Sequence, residues 1–383
     1  MRPTLQTVAD AVGVSRSTVS NAYSRPDQLS ADLRERILTA ASVLGYAGPD
    51  PAARSLRRGR VGAIGVLFTA TLSYAFTDPY AVQFLCGLAV AAEQGKTGLL
   101  LLPLSIDDEE AAVAAVKDAV VDGFCVYCMP DWHPALDAIA SRGLPVVSGQ
   151  RRAGDGGTSA FVGIDEALAT RTAGRHLTAL GHRRVAVIGD YFSASLVTGP
   201  SALASPDDVA YYTSRERLRG YREALAEAGV DWSTVATVNV TGNCRADGAA
   251  AAAHVLDRSP RPTAIAALSD ILALGVLDAL RARGLQPGRD VSVVGFDDIP
   301  EAASAALTTV SQPAAERGRL SGQLLLDPTA GLDRSSDPAS DPASDPASDP
   351  STETAGTPGH RGGRTVVLPT ELVVRASTGP APS

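Results

Sequence analysis

Cysteine is scarce in this 383-residue chain: there are four, Cys86, Cys125, Cys128 and Cys244, scattered through apolar runs with no secretory apolar segment ahead of them. So few thiols exclude a disulfide scaffold and fit a reducing cytoplasm. Cys125 and Cys128 form a C-x-x-C, but they lie in a strand-like run, 124–129, where a three-residue spacing turns side chains to opposite faces. No second Cys or His pair is near, so they read as buried thiols rather than as a zinc or redox site. The five histidines, His133, His176, His182, His254 and His360, show no metal spacing, and neither a G-x-S-x-G nor a Walker A loop is present. An enzyme, a metal site and a bound cofactor are therefore not expected. Nor is a membrane span, because the best apolar runs, such as 62–68, are only strand-sized.

What is present begins with charge. The formal net charge is -8, yet residues 1–60 hold nine Arg against five Asp or Glu, a local balance of +4, which leaves -12 on the rest. The basic end is the candidate for contact with phosphates. With 45% hydrophobic residues the chain can bury more than one core.

Residues 4–46 read as three short helices, opened by the hydroxyl caps Thr4, Ser15 and Ser30. From about residue 61, apolar runs of strand length alternate with helical segments, which predicts parallel sheets covered by helices. One sheet with so many strands is too large for about 300 residues, so two sheets side by side are expected, with a ligand crevice at the strand C-terminal ends. Residues 327–364 carry a repeated Asp-Pro-Ala-Ser and read as a disordered loop, and a final strand is expected over 365–374.

The most informative stretch is L-Q-T-V-A-D-A-V-G-V-S-R-S-T-V-S-N, residues 5–21. Leu5, Val8, Ala9 and Val12 make an apolar stripe, Gly13 supplies the turn and Ser15 opens a second helix. On that helix Arg16, Ser17, Ser20 and Asn21 share a polar arc opposite Val19, Ala22 and Tyr23. Arg can donate twice to guanine and Asn can pair twice with adenine, so one face suits base edges while the other suits a core. Any one of these residues would be an ordinary solvated side chain; it is their joint spacing that points to DNA.

Those residues, with L-R-E-R-I-L-T-A-A-S-V-L-G-Y at 33–46, resemble the DNA-binding headpiece of the LacI/GalR family. The resemblance implies base contacts from Arg16, Ser17 and Asn21, and phosphate or groove contacts from Gln6, Thr18 and Ser20. Residues 49–60 follow as a hinge helix, with Asp50 as cap, Pro51 in the first turn and Gly59 as stop. In the resembling family this helix pairs with its dimer mate in the minor groove and wedges a leucine between base pairs. Leu56 matches that leucine, and Arg54, Arg57 and Arg58 can add contacts that offset the kink.

Further on, L-T-A-L-G-H-R-R-V-A-V-I-G at 177–189, R-L-R-G-Y-R-E-A-L at 217–225, P-T-A-I-A-A-L-S-D at 262–270 and V-V-G-F-D-D at 293–298 resemble the family's sensor, in family order. The implied fold is an all-α helix-turn-helix headpiece plus an α/β, two-lobed, periplasmic-binding-protein-like (type I) effector domain. The expected units are a headpiece at 1–48, a hinge at 49–60 and a sensor and dimerisation domain at 61–326 and 365–378. Its first lobe would span about 61–164 and 298–326, its second about 165–297 and 365–378. By position the resemblance assigns effector contacts to Tyr127 and Gln150 of the first lobe and to Arg217, Asn243, Ser269, Asp270, Asp297 and Gln312. Arg and Asp suit vicinal hydroxyls; Asp270 can equally cap the helix after it. After the first strand, Tyr74, Phe76 and Asp78 are offered to the cleft edge.

The expectation is thus a cytoplasmic homodimer, a repressor that binds a palindromic operator and responds to a sugar or a nucleoside-like molecule, with no membrane partner. A transport-type binding protein would share the large domain but carry a signal peptide in place of the basic headpiece. A DNA-binding protein that has lost its sensor function is the remaining alternative.

Overall fold

A computed structural model describes residues 3–49, 59–68, 72–104, 108–130, 132–151, 159–192, 199–201, 203–327 and 364–382. These fall into two compact units, one within Met1–Gly62 and Val120–Asp122, the other within Ala63–Ala119 and Gly123–Ser383. The expected hinge helix over 49–60 and the expected loop over 327–364 lie, but for their ends, outside the described residues.

In the first unit three helices form where the caps predict them: α1 (Leu5–Val12), α2 (Arg16–Ser24) and α3 (Ala31–Val43). The side-chain oxygens of Thr4, Ser15 and Ser30 accept from the backbone N–H of Thr7, Thr18 and Leu33, using donors that a helix start leaves free. Gly13 ends α1 at φ 76°, a left-handed conformation that glycine adopts without a Cβ clash. Val8, Ala9, Val19, Ala22, Ile37 and Ala41 form the core, and Tyr23 meets Tyr46 edge-on at 6.1 Å.

The second unit holds two sheets. The first contains β1 (Ala63–Phe68), β2 (Gly98–Pro103), β3 (Gly123–Cys128), β4 (Val146–Ser148), β5 (Ala160–Ile164) and β12 (Thr365–Leu368) in the order β12-β5-β4-β3-β1-β2, all parallel. The second contains β6 (Val185–Asp190), β7 (Gly199–Ser201), β8 (Ala236–Val240), β9 (Ala264–Ala267), β10 (Ser292–Asp297), β11 (Thr308–Ser311) and β13 (Glu371–Val373) in the order β13-β11-β10-β9-β6-β8-β7. Here β13 and β7 are antiparallel edge strands. The central strands are covered on both faces, which is why they read as unbroken apolar runs such as Val185-Ala-Val-Ile.

Around the first sheet lie α4 (Leu72–Thr77), α5 (Pro79–Gln94), α6 (Glu109–Asp118), α7 (Ala135–Ser141) and α13 (Ala314–Leu326); with the second go α8 (Glu166–Ala179), α9 (Tyr212–Glu227), α10 (Arg245–Leu256), α11 (Asp270–Ala282) and α12 (Pro300–Ser304). The α5–α13 contact depends on two glycines. A Cβ on Gly87 would stand 1.8 Å from the Ala315 carbonyl oxygen, and one on Gly318 would stand 2.0 Å from that of Phe84.

Two expectations need correction. The strand expected over 365–374 is two strands: β12 joins the first sheet beside β5, and β13 joins the second beside β11. Pro369, which has no N–H to donate, lies between them. Residues 298–311 belong with the second lobe, not the first, because β11 takes its parallel partner from β10. The lobes are accordingly joined after β5, at the 164/165 boundary, and again between β11 and α13 and between β12 and β13, rather than at 297/298 and at the end of α13. The end of the chain is also tied to the second lobe: Val293 N–H donates to the Ser377 carbonyl, and Ala381 N–H to that of Leu180.

Candidate DNA-reading helix and effector cleft

On α2, Arg16 and Ser17 are exposed, while Thr18, Ser20 and Asn21 are half-buried. Ser15 Oγ sits 2.7 Å from both Ser17 Oγ and Thr18 Oγ1, which fixes the hydroxyls of the first turn. Asn21 Nδ2 donates to Gln28 Oε1 at 3.4 Å, a long bond that a better partner would displace. On α1, Gln6 Nε2 donates to Asp10 Oδ1 at 2.6 Å. The six headpiece residues named from the sequence thus lie on two adjoining helices. Arg54, Leu56 and Arg57 lie outside the described residues.

In the second unit, side chains from both lobes meet at the C-terminal ends of the strands. Tyr74 Oη, on α4, donates to Asp78 Oδ2 at 2.6 Å and accepts from Asn243 Nδ2 at 3.0 Å. Asn243 Oδ1 accepts in turn from Ser269 Oγ. A second link joins Gln150 Nε2 of the first lobe to Thr213 Oγ1 of the second at 3.3 Å. A third is a buried relay: Arg317 Nη1 donates to Tyr80 Oη at 2.8 Å, Tyr80 Oη to Gln312 Oε1 at 3.0 Å, and Gln312 Nε2 to Asp297 Oδ1 at 2.6 Å.

Arg217, on α9, is buried. Its Nε donates to Glu166 Oε2 at 2.8 Å, its Nη1 donates to the Leu268 carbonyl, and its guanidinium carbon lies 3.6 Å from the centre of the Phe296 ring. Beside it the carboxyl of Asp297 is held well above its usual range by burial, against the pull of Arg217 and with added repulsion from Asp270 and Asp78. Burial also raises Asp190 and Asp78, and Asp78 adds to the shift on Asp190. The backbone at Asp297 (φ 122°) and Asp298 (φ 55°) is left-handed, a strained pair for non-glycine residues. Arg375 Nη2 donates to Asp298 Oδ1 at 2.8 Å and braces the turn.

Of the eleven cleft residues named from the sequence, eight join these networks directly: Tyr74, Asp78, Gln150, Arg217, Asn243, Ser269, Asp297 and Gln312. Tyr127 stands behind them, packed on Phe68, Tyr80 and Phe84 with ring centres 4.9–6.2 Å apart. Asp270 points elsewhere: fully buried, it accepts from Ile299 N–H at 2.9 Å and Thr309 Oγ1 at 2.6 Å, and burial pushes its pKa up to about 6. Ser269, not Asp270, caps α11. Phe76 is 63% exposed and belongs to none of the networks above.

Tyr80, Glu166, Asp190, Thr213 and Arg317 were not singled out from the sequence. Asp190 ends β6 as Asp297 ends β10, so the rule that places crevice residues at strand ends could have found it. Glu166 opens α8 directly after β5, a strand the apolar pattern had not revealed.

Comparison with known proteins agrees with a helical headpiece followed by a two-sheet α/β unit. Residues 4–48 match the family described as bacterial regulatory proteins, lacI family, and residues 175–344 match the periplasmic binding protein-like domain. The chain is 41% identical over 333 residues to an HTH-type transcriptional regulator of Mycolicibacterium smegmatis, covering 85% of this chain and 91% of that one. Its structure is similar to that of a LacI-family transcriptional regulator from Corynebacterium glutamicum, at 32% identity and a TM-score of 0.69 over the whole of both chains. It is also similar to the transcriptional regulator CelR in its cellobiose complex, at 28% identity and a TM-score of 0.64, covering 98% of this chain and 100% of that one.

Proposed function

The chain belongs to the LacI family of bacterial transcriptional regulators, and on that premise we propose that it is a homodimeric repressor whose hold on a palindromic operator is set by a sugar or nucleoside-like effector in the interlobe cleft. The observation that carries the sensor half is the relay from Arg317 through Tyr80 and Gln312 to Asp297. Donors and acceptors of the two lobes are already paired there, so a hydroxyl-bearing ligand can exchange with them bond for bond. The cellobiose bound by CelR is in keeping with a polyol.

A ligand that touches Arg217 and Asp297 in one lobe and Gln150 or Tyr74 in the other favours one lobe orientation over another. That difference is all a switch requires. In the dimer, the orientation would govern whether the two copies of residues 50–58 can share one minor groove, with Leu56 as the wedge and Arg54 and Arg57 on the phosphates.

Genomic footprinting of the protein, followed by deletion of its gene, tests the reading. A repressor predicts palindromic footprints at promoters whose transcripts rise on deletion. Transcripts that fall would make the protein an activator, and footprints without symmetry would count against a dimer on a palindrome.

A further inference from the structure

Among the described residues, charge around the cleft is lopsided. Asp78 from the first lobe and Glu166, Asp190 and Asp297 from the second come together near two guanidinium groups, those of Arg217 and Arg317. Neither cation is free. Arg217 is held by Glu166 and the Leu268 carbonyl and lies flat on Phe296, while Arg317 donates from Nε to the Val162 carbonyl at 3.1 Å and from Nη1 to Tyr80. The two lysines of the chain, Lys96 and Lys117, lie at the C-terminal ends of α5 and α6, whereas Asp78 caps the opposite, N-terminal end of α5. Arg151, next to Gln150, is exposed to solvent and lies 4.4 Å from the centre of the Phe161 ring.

We infer that the cleft selects its effector by charge: it takes an uncharged polyol or one bearing an amine, and it refuses the phosphorylated counterpart. The inference rests on the reading of this cleft as an effector site. Sugar hydroxyls can donate to the carboxylates of Asp78, Asp190 and Asp297, and an ammonium group would relieve their mutual repulsion. A phosphate monoester brings about -1.5 to -2 charge at pH 7. It would have to displace Glu166 from Arg217 and then stand among three further carboxylates in a poorly solvated space, where like charges repel far more strongly than in water.

The test is calorimetric titration of the full chain at pH 7 with hexoses, amino sugars, cyclitols and nucleosides, each alongside its own phosphate monoester. The expected result is binding within the uncharged and aminated set, with each phosphate ester weaker than its parent by at least about 100-fold. A phosphate ester that binds as tightly as its parent overturns the inference, and so does a panel in which no uncharged or aminated compound binds. Glu166→Gln, which keeps the shape but releases Arg217 from its counter-charge, should narrow the gap between ester and parent at least tenfold. Asp190→Asn, which removes a carboxyl whose neutral form burial already favours, should narrow the gap less than Glu166→Gln does. An unchanged gap in both folded variants also overturns it. A phosphate ester that binds best and still alters operator occupancy would sink charge selection alone; ligands that bind yet leave operator occupancy unchanged would sink the regulatory reading instead.

Discussion

Tyr74 Oη gives its proton to Asp78 and receives one from Asn243 Nδ2 at 3.0 Å, so a single phenol ties α4 of the first lobe to the loop after β8 of the second. Tyr74→Phe leaves Asp78 and Asn243 each short of a partner, and a buried group so orphaned costs about 1–3 kcal/mol. Urea unfolding of Tyr74→Phe, Asn243→Ala and the double variant should give a coupling of about 0.5–1.5 kcal/mol. Strictly additive losses would mean that the interlobe bond does not form in solution.

On the headpiece, Asn21→Ala should weaken binding to the true operator by about 1–3 kcal/mol and relax preference at one symmetric position, if the amide pairs with adenine. Gel-shift titration on operator and on random duplex separates the cases. Equal losses on both would place Asn21 against phosphate alone.

His182 offers a test of how the chain end is held. It is buried, with Nδ1 2.9 Å from Thr263 Oγ1 and Nε2 2.9 Å from Ser292 Oγ and 3.0 Å from the Gly379 carbonyl oxygen. A carbonyl can only accept, so Nε2 carries the proton and Nδ1 accepts from Thr263. Burial lowers the pKa of this ring below the ordinary 6.5. Above pH 6.5 the ring is neutral whether the chain is folded or not, and its contribution is complete. As the pH falls through 6.5 the unfolded chain takes the proton first, so stability drains away until the folded ring titrates too. The gap in melting temperature between the native protein and His182→Asn should therefore shrink from pH 7.5 to pH 5. A constant gap would show that the ring is not held neutral.

How much of this was legible in the sequence depended on whether the cause was local. Thr4, Ser15 and Ser30 cap helices within three residues of themselves, and Gly13 makes its own turn, so the headpiece could be read directly. β11 and β12 are four residues each, too short for a period, and their lobes are set by distant partners in β10 and β5. Asp270 and Asp297 look alike as acids near strand ends. What separates them is Gly295, where a Cβ would stand 2.1 Å from Asp270 Oδ1; without a side chain there, Asp270 can turn inward to Ile299 and Thr309. Glu166 and Arg217 are 51 residues apart and meet only through the packing of α8 on α9.

The central claim is that effector and operator are thermodynamically coupled through the cleft. The most direct test is calorimetric titration of the effector into the protein alone and into its operator complex. Linkage requires operator to change the effector's affinity by the same factor that effector changes the operator's, and coupling of about 1–3 kcal/mol makes that factor about 5 to 150. The account predicts such a shift in the native protein. Identical effector affinities with and without operator would contradict it, leaving a DNA-binding protein with an uncoupled pocket.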